Sequence, residues 1–69
     1  MHPSTEAILQ WFTYEHLPEG AAQDVSERCA LLAKRAAKDL KDTPHGAELT
    51  TGLRKLLEAK DCFVRAALP

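Results

Sequence analysis

A single lysine in the second half of the chain has the position that most invites chemistry. On a helical wheel with about 100° per residue, Lys60 falls inside an apolar arc, between Leu53 on one side and Leu49 or Ala67 on the other. An unpaired charge in such surroundings is costly, so something must compensate it. Two interpretations stay open: the ammonium reaches past its packed stem into water, or it points at an anion held between subunits.

A cluster of aromatic residues near the N-terminus is the second feature. Trp11, Phe12 and Tyr14 lie close together, and His16 follows two positions later. Trp11 and Phe12 would most simply form a lid over the open side of a helix pair. Tyr14 lies nearer a break in the chain, where its ring could stack on a nucleobase, an interaction worth about 1–3 kcal/mol per base. His16 could line the same surface.

The spacing of the basic residues has a simple structural explanation. Acidic and basic side chains recur four residues apart, at Asp24–Arg28, Arg35–Asp39, Lys38–Asp42, Arg54–Glu58 and Asp61–Arg65. Such pairs usually mark a solvated helix face and contribute only a few tenths of a kcal/mol each. Charge pattern alone therefore identifies neither Arg28 nor Arg65 as a ligand contact.

Residues that support catalysis or metal binding form no recognisable set in this sequence. There is no CxxC pair, zinc-ligand spacing, P-loop, HExxH motif or Ser/His/Asp set. Glu15 and Glu19 lie in a loop where nothing fixes their separation. Cys29 falls on an apolar helix face, where a small inert side chain is the default, and Cys62 falls on a polar one. We therefore expect a protein that is not an enzyme, with no metal, no cofactor and two free thiols.

The elements that must position these residues are predicted to be helices. A short helix is expected over residues 4–12, with Ser4 as its N-cap, and the chain breaks at residues 17–20, where Pro18 and a glycine occur. A long helix over residues 21–42 follows. One of its faces is an apolar seam, and beside the seam runs a stripe of small residues that would let another helix approach closely. The seam consists of Val25, Cys29, Leu32, Ala36 and Leu40, and the stripe of Ala22, Ser26, Ala30, Ala33 and Ala37.

A second long helix is predicted over about residues 45–68. Thr43 suits its N-cap and Pro44 its first position. Its apolar arc covers roughly 200°, about twice the stripe of a one-sided surface helix. Because a short turn makes the two long helices antiparallel neighbours, one partner helix cannot cover that arc. The seam of this helix consists of Leu49, Leu53, Leu56, Phe63 and Ala67.

Size and composition favour an assembly of subunits. A chain of 69 residues makes one domain at most, and such a small core seldom supplies more than about 3–5 kcal/mol. We therefore predict an all-α fold: an antiparallel helical hairpin (residues 21–69) with an N-terminal short helix and aromatic arm (residues 1–20), assembled into a symmetric homo-oligomer. Leu31, an apolar residue in the middle of a polar face, fits a second contact surface.

Several classes of protein are disfavoured by the same composition. No stretch of about 18 apolar residues could span a membrane, and the N-terminus lacks the pattern of a secretion signal. The expected location is the cytoplasm, where both thiols stay reduced. The formal net charge of −1 argues against binding to DNA or RNA polymers, because proteins that do so are usually basic.

Three stretches of the sequence carry a resemblance to a known family. They are WFTYEHLP at residues 11–18, LT at 49–50 followed by LRKLLEAKD at 53–61, and VRAAL at 64–68. Through them the chain resembles a widespread group of small phage helical-hairpin proteins. That group is similar to the anti-CBASS sponges, which share a hairpin domain with the anti-Thoeris sponges.

The resemblance implies a helical oligomer that sequesters cyclic di- or trinucleotides without cleaving them, so that a host defence effector is not switched on. In that family a tyrosine before the first long helix stacks on a base, while a basic residue in that helix and an arginine near the C-terminus hold phosphates. Tyr14 and Arg65 match this pattern. The spacing from Tyr14 places the first-helix basic residue at Cys29, and Arg28 matches only after a shift of one residue.

These arguments together predict a site at a subunit interface. Antiparallel pairing puts residues near 28 beside residues near 61, at the end of the hairpin where the arm enters. The predicted ligand-binding residues are Tyr14, His16, Arg28, Lys60 and Arg65. A cyclic dinucleotide is two-fold or pseudo-two-fold symmetric, and an isologous interface presents each side chain twice. The alternative function is that of a small helical adaptor or structural protein, whose exposed helix faces bind a protein partner.

Overall fold

The computed structural model describes residues 3–68, which form three helices: α1 (Pro3–Leu9), α2 (Ala21–Leu40) and α3 (Gly46–Ala66). No β-strand occurs within residues 3–68, and the all-helical prediction is confirmed. Each helix ends two or three residues earlier than predicted, at residues 9, 40 and 66 instead of 12, 42 and 68. No helix in the described part of the chain is both long and apolar enough to cross a membrane.

The two long helices pack along each other as an antiparallel pair. Residues 41–45 join them, a connection short enough to make consecutive helices antiparallel neighbours. Leu40, at the end of α2, lines one groove together with Leu49, near the start of α3, and Leu32 and Leu56 line the same groove further from the turn. The molecule is accordingly elongated, measuring 42 × 17 × 16 Å.

The turn between the long helices is capped differently from the prediction. The Thr43 hydroxyl donates to the carbonyl oxygen of Leu40 at 2.9 Å, and the Thr43 amide donates to the same oxygen at 3.2 Å. Thr43 therefore closes the end of α2, and the residue that precedes α3 is His45. The assignment of Thr43 as N-cap and Pro44 as first residue of this helix was wrong, because α3 begins at Gly46.

The short helix α1 lies along the hairpin and runs in the same direction as α3. Thr5 Oγ1 is 3.3 Å from Thr50 Oγ1 in the first turns of α3. Further along, the Trp11 carbonyl oxygen is 3.4 Å from Lys60 Nζ. Ser4, expected as the N-cap, lies inside the helix instead, because α1 begins one residue earlier at a proline, which is favoured in the first turn.

The core lies where α1 and the segment after it meet the two long helices. Its α2 members are small: Ala30, Ala33 and Ala37 are each 0 % exposed. Phe12, from the segment after α1, and Leu53, from α3, complete the buried cluster with Cys29. The partly buried side chains packed around this cluster are Ile8, Leu9, Tyr14, Val25, Leu49, Leu56 and Leu57. We call this side of the hairpin the covered face.

The predicted apolar seams are only partly buried. On α2, Cys29 is buried, but Leu32 and Leu40 are 56 % and 45 % exposed. On α3, Leu53 is buried, but Phe63 is 49 % exposed. The buried face of α2 thus lies on the stripe of small residues, which packs with Phe12 and with Leu53 of α3, and not on the part of the seam that holds Leu32 and Leu40.

The leucine seam instead borders an open groove of about 560 Å³ between the two long helices. Its apolar lining consists of Leu32, Ala36, Leu40, Leu49, Gly52, Leu53 and Leu56. We call this surface the open groove.

Candidate functional site

Of the predicted ligand-binding residues, His16 and Lys60 line one hollow beside the segment that joins α1 to α2. The hollow has a volume of about 390 Å³ and lies where this segment crosses the second half of α3. Its other lining residues are Trp11, Thr13, Leu57 and Asp61. We call it the linker hollow.

Lys60 is compensated by groups of its own chain. The residue is 8 % exposed. Its ammonium donates to the Trp11 carbonyl oxygen at 3.4 Å and lies 3.4 Å from Asp61 Oδ1. Lys60 therefore links the segment after α1 to α3. Neither interpretation from the sequence describes it fully, because the ammonium is neither surrounded by water nor without a partner. Asp61 pairs with Lys60 and not with Arg65, the partner that its four-residue spacing suggested.

The segment between α1 and α2 is held in a defined shape where it enters α2. The Leu17 amide donates to the Tyr14 carbonyl oxygen at 3.0 Å, and Gln23 Nε2, in the first turn of α2, donates to the Leu17 carbonyl oxygen at 2.9 Å. Gly20 precedes α2 with φ 141° and ψ −164°, a conformation essentially restricted to glycine. These constraints fix the position of Tyr14 and His16 relative to α2.

Glu15 adds a local contact within the same segment. Its carboxylate accepts a hydrogen bond from the Tyr14 amide at 3.3 Å. Backbone hydrogen bonds from its own amide and from Tyr14 lower the pKa of Glu15, and the nearby side chains of Lys34 and His16 contribute less. The carboxylate is therefore ionised at neutral pH and stays available as an acceptor for the backbone.

The aromatic residues divide between core and surface. Phe12 is 3 % exposed, as expected of a lid over the hairpin, whereas Trp11 is 62 % exposed and lines the linker hollow. The interpretation of Trp11 as a lid residue was therefore wrong: the chain turns directly after α1, and only one of two adjacent aromatic side chains can enter the core. Tyr14 is partly buried against the core cluster.

The two arginines of the predicted site do not line the linker hollow of the same chain. Arg28 is exposed and borders a separate shallow hollow with Asp24, Glu27 and Leu31. Arg65 is exposed, and its guanidinium donates to Cys62 Sγ at 3.3 Å. The single chain thus brings together His16 and Lys60 but keeps both arginines apart from them. The five predicted residues therefore do not share one hollow of the single chain, because Tyr14 packs against the core cluster and both arginines lie outside the linker hollow.

Both cysteines are free thiols, Cys29 buried and Cys62 exposed. Burial raises the pKa of Cys29, an effect that the positive charge of Lys60 partly opposes. Cys29 therefore behaves as a small apolar residue of the core. Within residues 3–68, no group of His, Cys, Asp and Glu side chains is arranged to hold a metal ion.

Sequence reasoning missed Trp11, Thr13 and Asp61 as residues of the linker hollow. Thr13 and Asp61 carried no signal of their own, since a threonine in a loop and an aspartate on a polar helix face are common. The sequence offered only two separate signals, a tryptophan in the N-terminal arm and a cation inside an apolar arc, and no local pattern joined them.

Comparisons of the chain with protein-family models, with curated proteins and with solved structures gave no match.

Proposed function

We propose that this protein is a non-enzymatic sponge that binds cyclic di- or trinucleotides at the interface between subunits and keeps them from a host defence effector. The observation that carries the proposal is the linker hollow, in which an exposed indole, an imidazole and a lysine side chain meet. An aromatic plane for a base and charged N–H donors for a phosphate are the two elements that nucleotide binding needs.

The basic residues have donors left for phosphate groups. An ammonium has three N–H donors, and within residues 3–68 two of those of Lys60 are directed at the Trp11 carbonyl oxygen and Asp61. Arg28 and Arg65 are both exposed. In an isologous dimer each of these cations appears twice, so two phosphates can be bound by a protein whose formal net charge is −1.

The assembly that this function requires is favoured by the exposed apolar side chains. They are Trp11, Leu31, Leu32, Leu40, Phe63 and Leu68, and Leu32 and Leu40 border the open groove. A contiguous apolar surface such as the lining of the open groove usually marks an interaction site. In our proposal further copies of the chain cover the open groove in a symmetric homo-oligomer, within the cytoplasm of the host cell.

The oligomer is tested by light scattering at micromolar concentration. The wild-type mass should be well above the 7.6 kDa of one chain. Leu32→Asp should reduce it to the monomer mass while the helical circular dichroism remains, because a charge cannot be buried unpaired between subunits. Thr51→Asp introduces the same charge at an exposed position outside the open groove and serves as the control. A wild-type monomer would contradict the assembly.

Ligand binding is tested by calorimetry with a panel of cyclic di- and trinucleotides. Charge-assisted contacts to phosphate are worth about 1.5–3 kcal/mol each, so Arg65→Ala should weaken binding about tenfold or more. Tyr14→Ala should have a similar effect through lost stacking, with circular dichroism to verify its fold. Lys55→Ala, at an exposed position outside both the linker hollow and the open groove, should be neutral. Chromatography of the recovered ligand should show it uncleaved.

A second candidate function, an adaptor for a protein partner, is favoured by the open groove itself. An apolar trough between two helices is the kind of surface that binds one face of an amphipathic helix. A thermal-shift screen separates the two candidates, because a ligand at about 100 times its Kd adds about 2.7 kcal/mol of stability. If no cyclic nucleotide raises the melting temperature or binds in calorimetry, the sponge proposal fails and the adaptor is the better account.

A further inference from the structure

The linker hollow contains one carboxylate, that of Asp61, and this carboxylate has no role in phosphate binding. The Asp61 side chain is 50 % exposed, and its Oδ1 atom lies 3.4 Å from the nearly buried ammonium of Lys60. A negative charge repels a phosphate, so a hollow built for phosphate alone would not include Asp61. The carboxylate must therefore be considered as a contact for another part of a nucleotide.

An ionised carboxylate only accepts hydrogen bonds, and it has two oxygens with about four acceptor positions. The ion pair with Lys60 uses one position on one oxygen and restrains the side chain. Most of the acceptor capacity of Asp61 therefore faces the hollow or solvent. Trp11, at 62 % exposure, borders the same space, so a flat aromatic group placed there can contact an indole with its face and a carboxylate with its edge.

We propose that the linker hollow binds a guanine base, with the Asp61 carboxylate accepting hydrogen bonds from the N1–H and N2–H groups of the base while Trp11 stacks on its ring. The inference rests on the proposed function, for which it specifies the base. Among the common nucleobases, guanine alone presents two adjacent donors on its Watson–Crick edge. Adenine and cytosine place a ring nitrogen acceptor beside their amino group, and uracil flanks its single N–H with two carbonyl oxygens.

Lys60 has a positioning role in this arrangement. Its ammonium contacts both the carboxylate of Asp61 and the backbone carbonyl of Trp11. Asp61 and Trp11 are the two residues that contact the base in our proposal. The backbone that carries the indole is thereby held beside the carboxylate before a ligand arrives, which lowers the cost of ordering the site on binding. The hollow, at about 390 Å³, has room for one purine base with its sugar.

The chain contains a single tryptophan, so its fluorescence reports directly on the hollow. Cyclic di-GMP and cyclic di-AMP, titrated separately into the wild-type protein, should differ in Kd by at least about tenfold in favour of cyclic di-GMP, and cyclic di-GMP should quench the emission. Asp61→Asn should abolish this preference or reverse it, because an amide presents one acceptor and one donor, the set that pairs with adenine.

The readout is the ratio of the two dissociation constants, since removal of a negative charge by itself tightens the binding of any phosphate. Glu58→Gln removes a carboxylate from an exposed position of α3 outside the hollow and should leave that ratio unchanged. Circular dichroism of each variant verifies the fold, and the comparison of the two ligands on wild-type protein needs no variant.

Each outcome decides between the two proposals. If both ligands bind equally, or if the preference survives Asp61→Asn, the guanine site is refuted while the sponge function stands. If cyclic ligands bind without any change in tryptophan emission, they bind elsewhere, and again only the guanine site is refuted. If no cyclic nucleotide binds, 5′-GMP and 5′-AMP test the hollow alone: an Asp61-dependent preference for 5′-GMP supports the guanine site without the sponge function, and its absence refutes both.

Discussion

The covered face and the open groove, two sides of the same helix pair, receive side chains of different size from α2. The covered face buries Ala30, Ala33 and Ala37 completely, whereas the open groove leaves Leu32 and Leu40 about half exposed. A chain that has to be stable alone gains most by burying its largest apolar side chains. α2 shows the reverse distribution, since it buries alanines and leaves Leu32 and Leu40 at the surface, which agrees with the proposed assembly.

The same comparison explains how α1 is accommodated. Small side chains on α2 leave room for Ile8, Leu9 and Phe12 to pack from the other side. Phe12 thereby supplies the bulk that the alanines lack. The covered face depends on large residues from outside the hairpin, while the open groove has its large residues in place and lacks the partner.

Substitution of the two phenylalanines should give the largest difference between the covered and the uncovered surface. Phe12 is 3 % exposed and Phe63 is 49 % exposed, so an identical substitution probes both environments. Phe12→Ala should lower the free energy of unfolding by about 3–5 kcal/mol, enough to unfold much of so small a protein. Phe63→Ala should cost less than about 1 kcal/mol, since surface substitutions usually have small effects. Urea denaturation followed by circular dichroism measures both.

These values hold for dilute protein. If Phe63→Ala lowers the free energy of unfolding as much as Phe12→Ala does, but does so only at high protein concentration, a second copy of the chain covers Phe63. Equal cost at every concentration would contradict the distinction between a covered and an uncovered aromatic residue.

A pair of alanines tests the size rule directly. Ala33 is 0 % exposed in the core, and Ala36, on the same helix, is half-buried and lines the open groove. Ala33→Leu should destabilise the protein by about 1–3 kcal/mol, because overpacking forces side chains and backbone to shift. In protein dilute enough to be monomeric, Ala36→Leu should be close to neutral, because the groove of the single chain has space for the larger side chain. Thermal melts of the two variants in dilute solution measure the difference, and an equal loss of stability in both would contradict the size rule.

The thiols give the smallest effect, a difference in reactivity without a change in stability. Burial raises the pKa of Cys29, so at any given pH its thiolate fraction is smaller than that of a thiol with an ordinary pKa, and the thiolate is the reacting species. With a disulfide reagent at pH 8, Cys62 should react promptly and Cys29 only after urea is added. Wild-type protein that loses both thiols at one rate would show that the covered face opens readily.

The sequence by itself determined the helices and the break between them. Apolar residues at helical spacing predicted α2 and α3 to within two residues at each end, and Pro18 with Gly20 predicted the interruption before α2. The unusual position of Lys60 was also visible, because a cation inside an apolar arc stands out on a helical wheel. These features are local, since periodicity and backbone restrictions act over a few residues.

The tertiary structure alone decided which side of each helix is buried and which partners the polar groups take. Periodicity places residues around one helix axis but does not show where another element packs. Whether α2 buries its stripe of small residues or its apolar seam was therefore decided by the elements that pack against it. Likewise Trp11 and Phe12 are adjacent and chemically alike, and only the turn after α1 sends one to the core and the other to the surface. Asp61 had two cations within reach along the helix and pairs with Lys60, whose ammonium is fixed by a backbone carbonyl 49 residues away in the sequence. Such choices depend on contacts between distant parts of the chain, which no local pattern encodes.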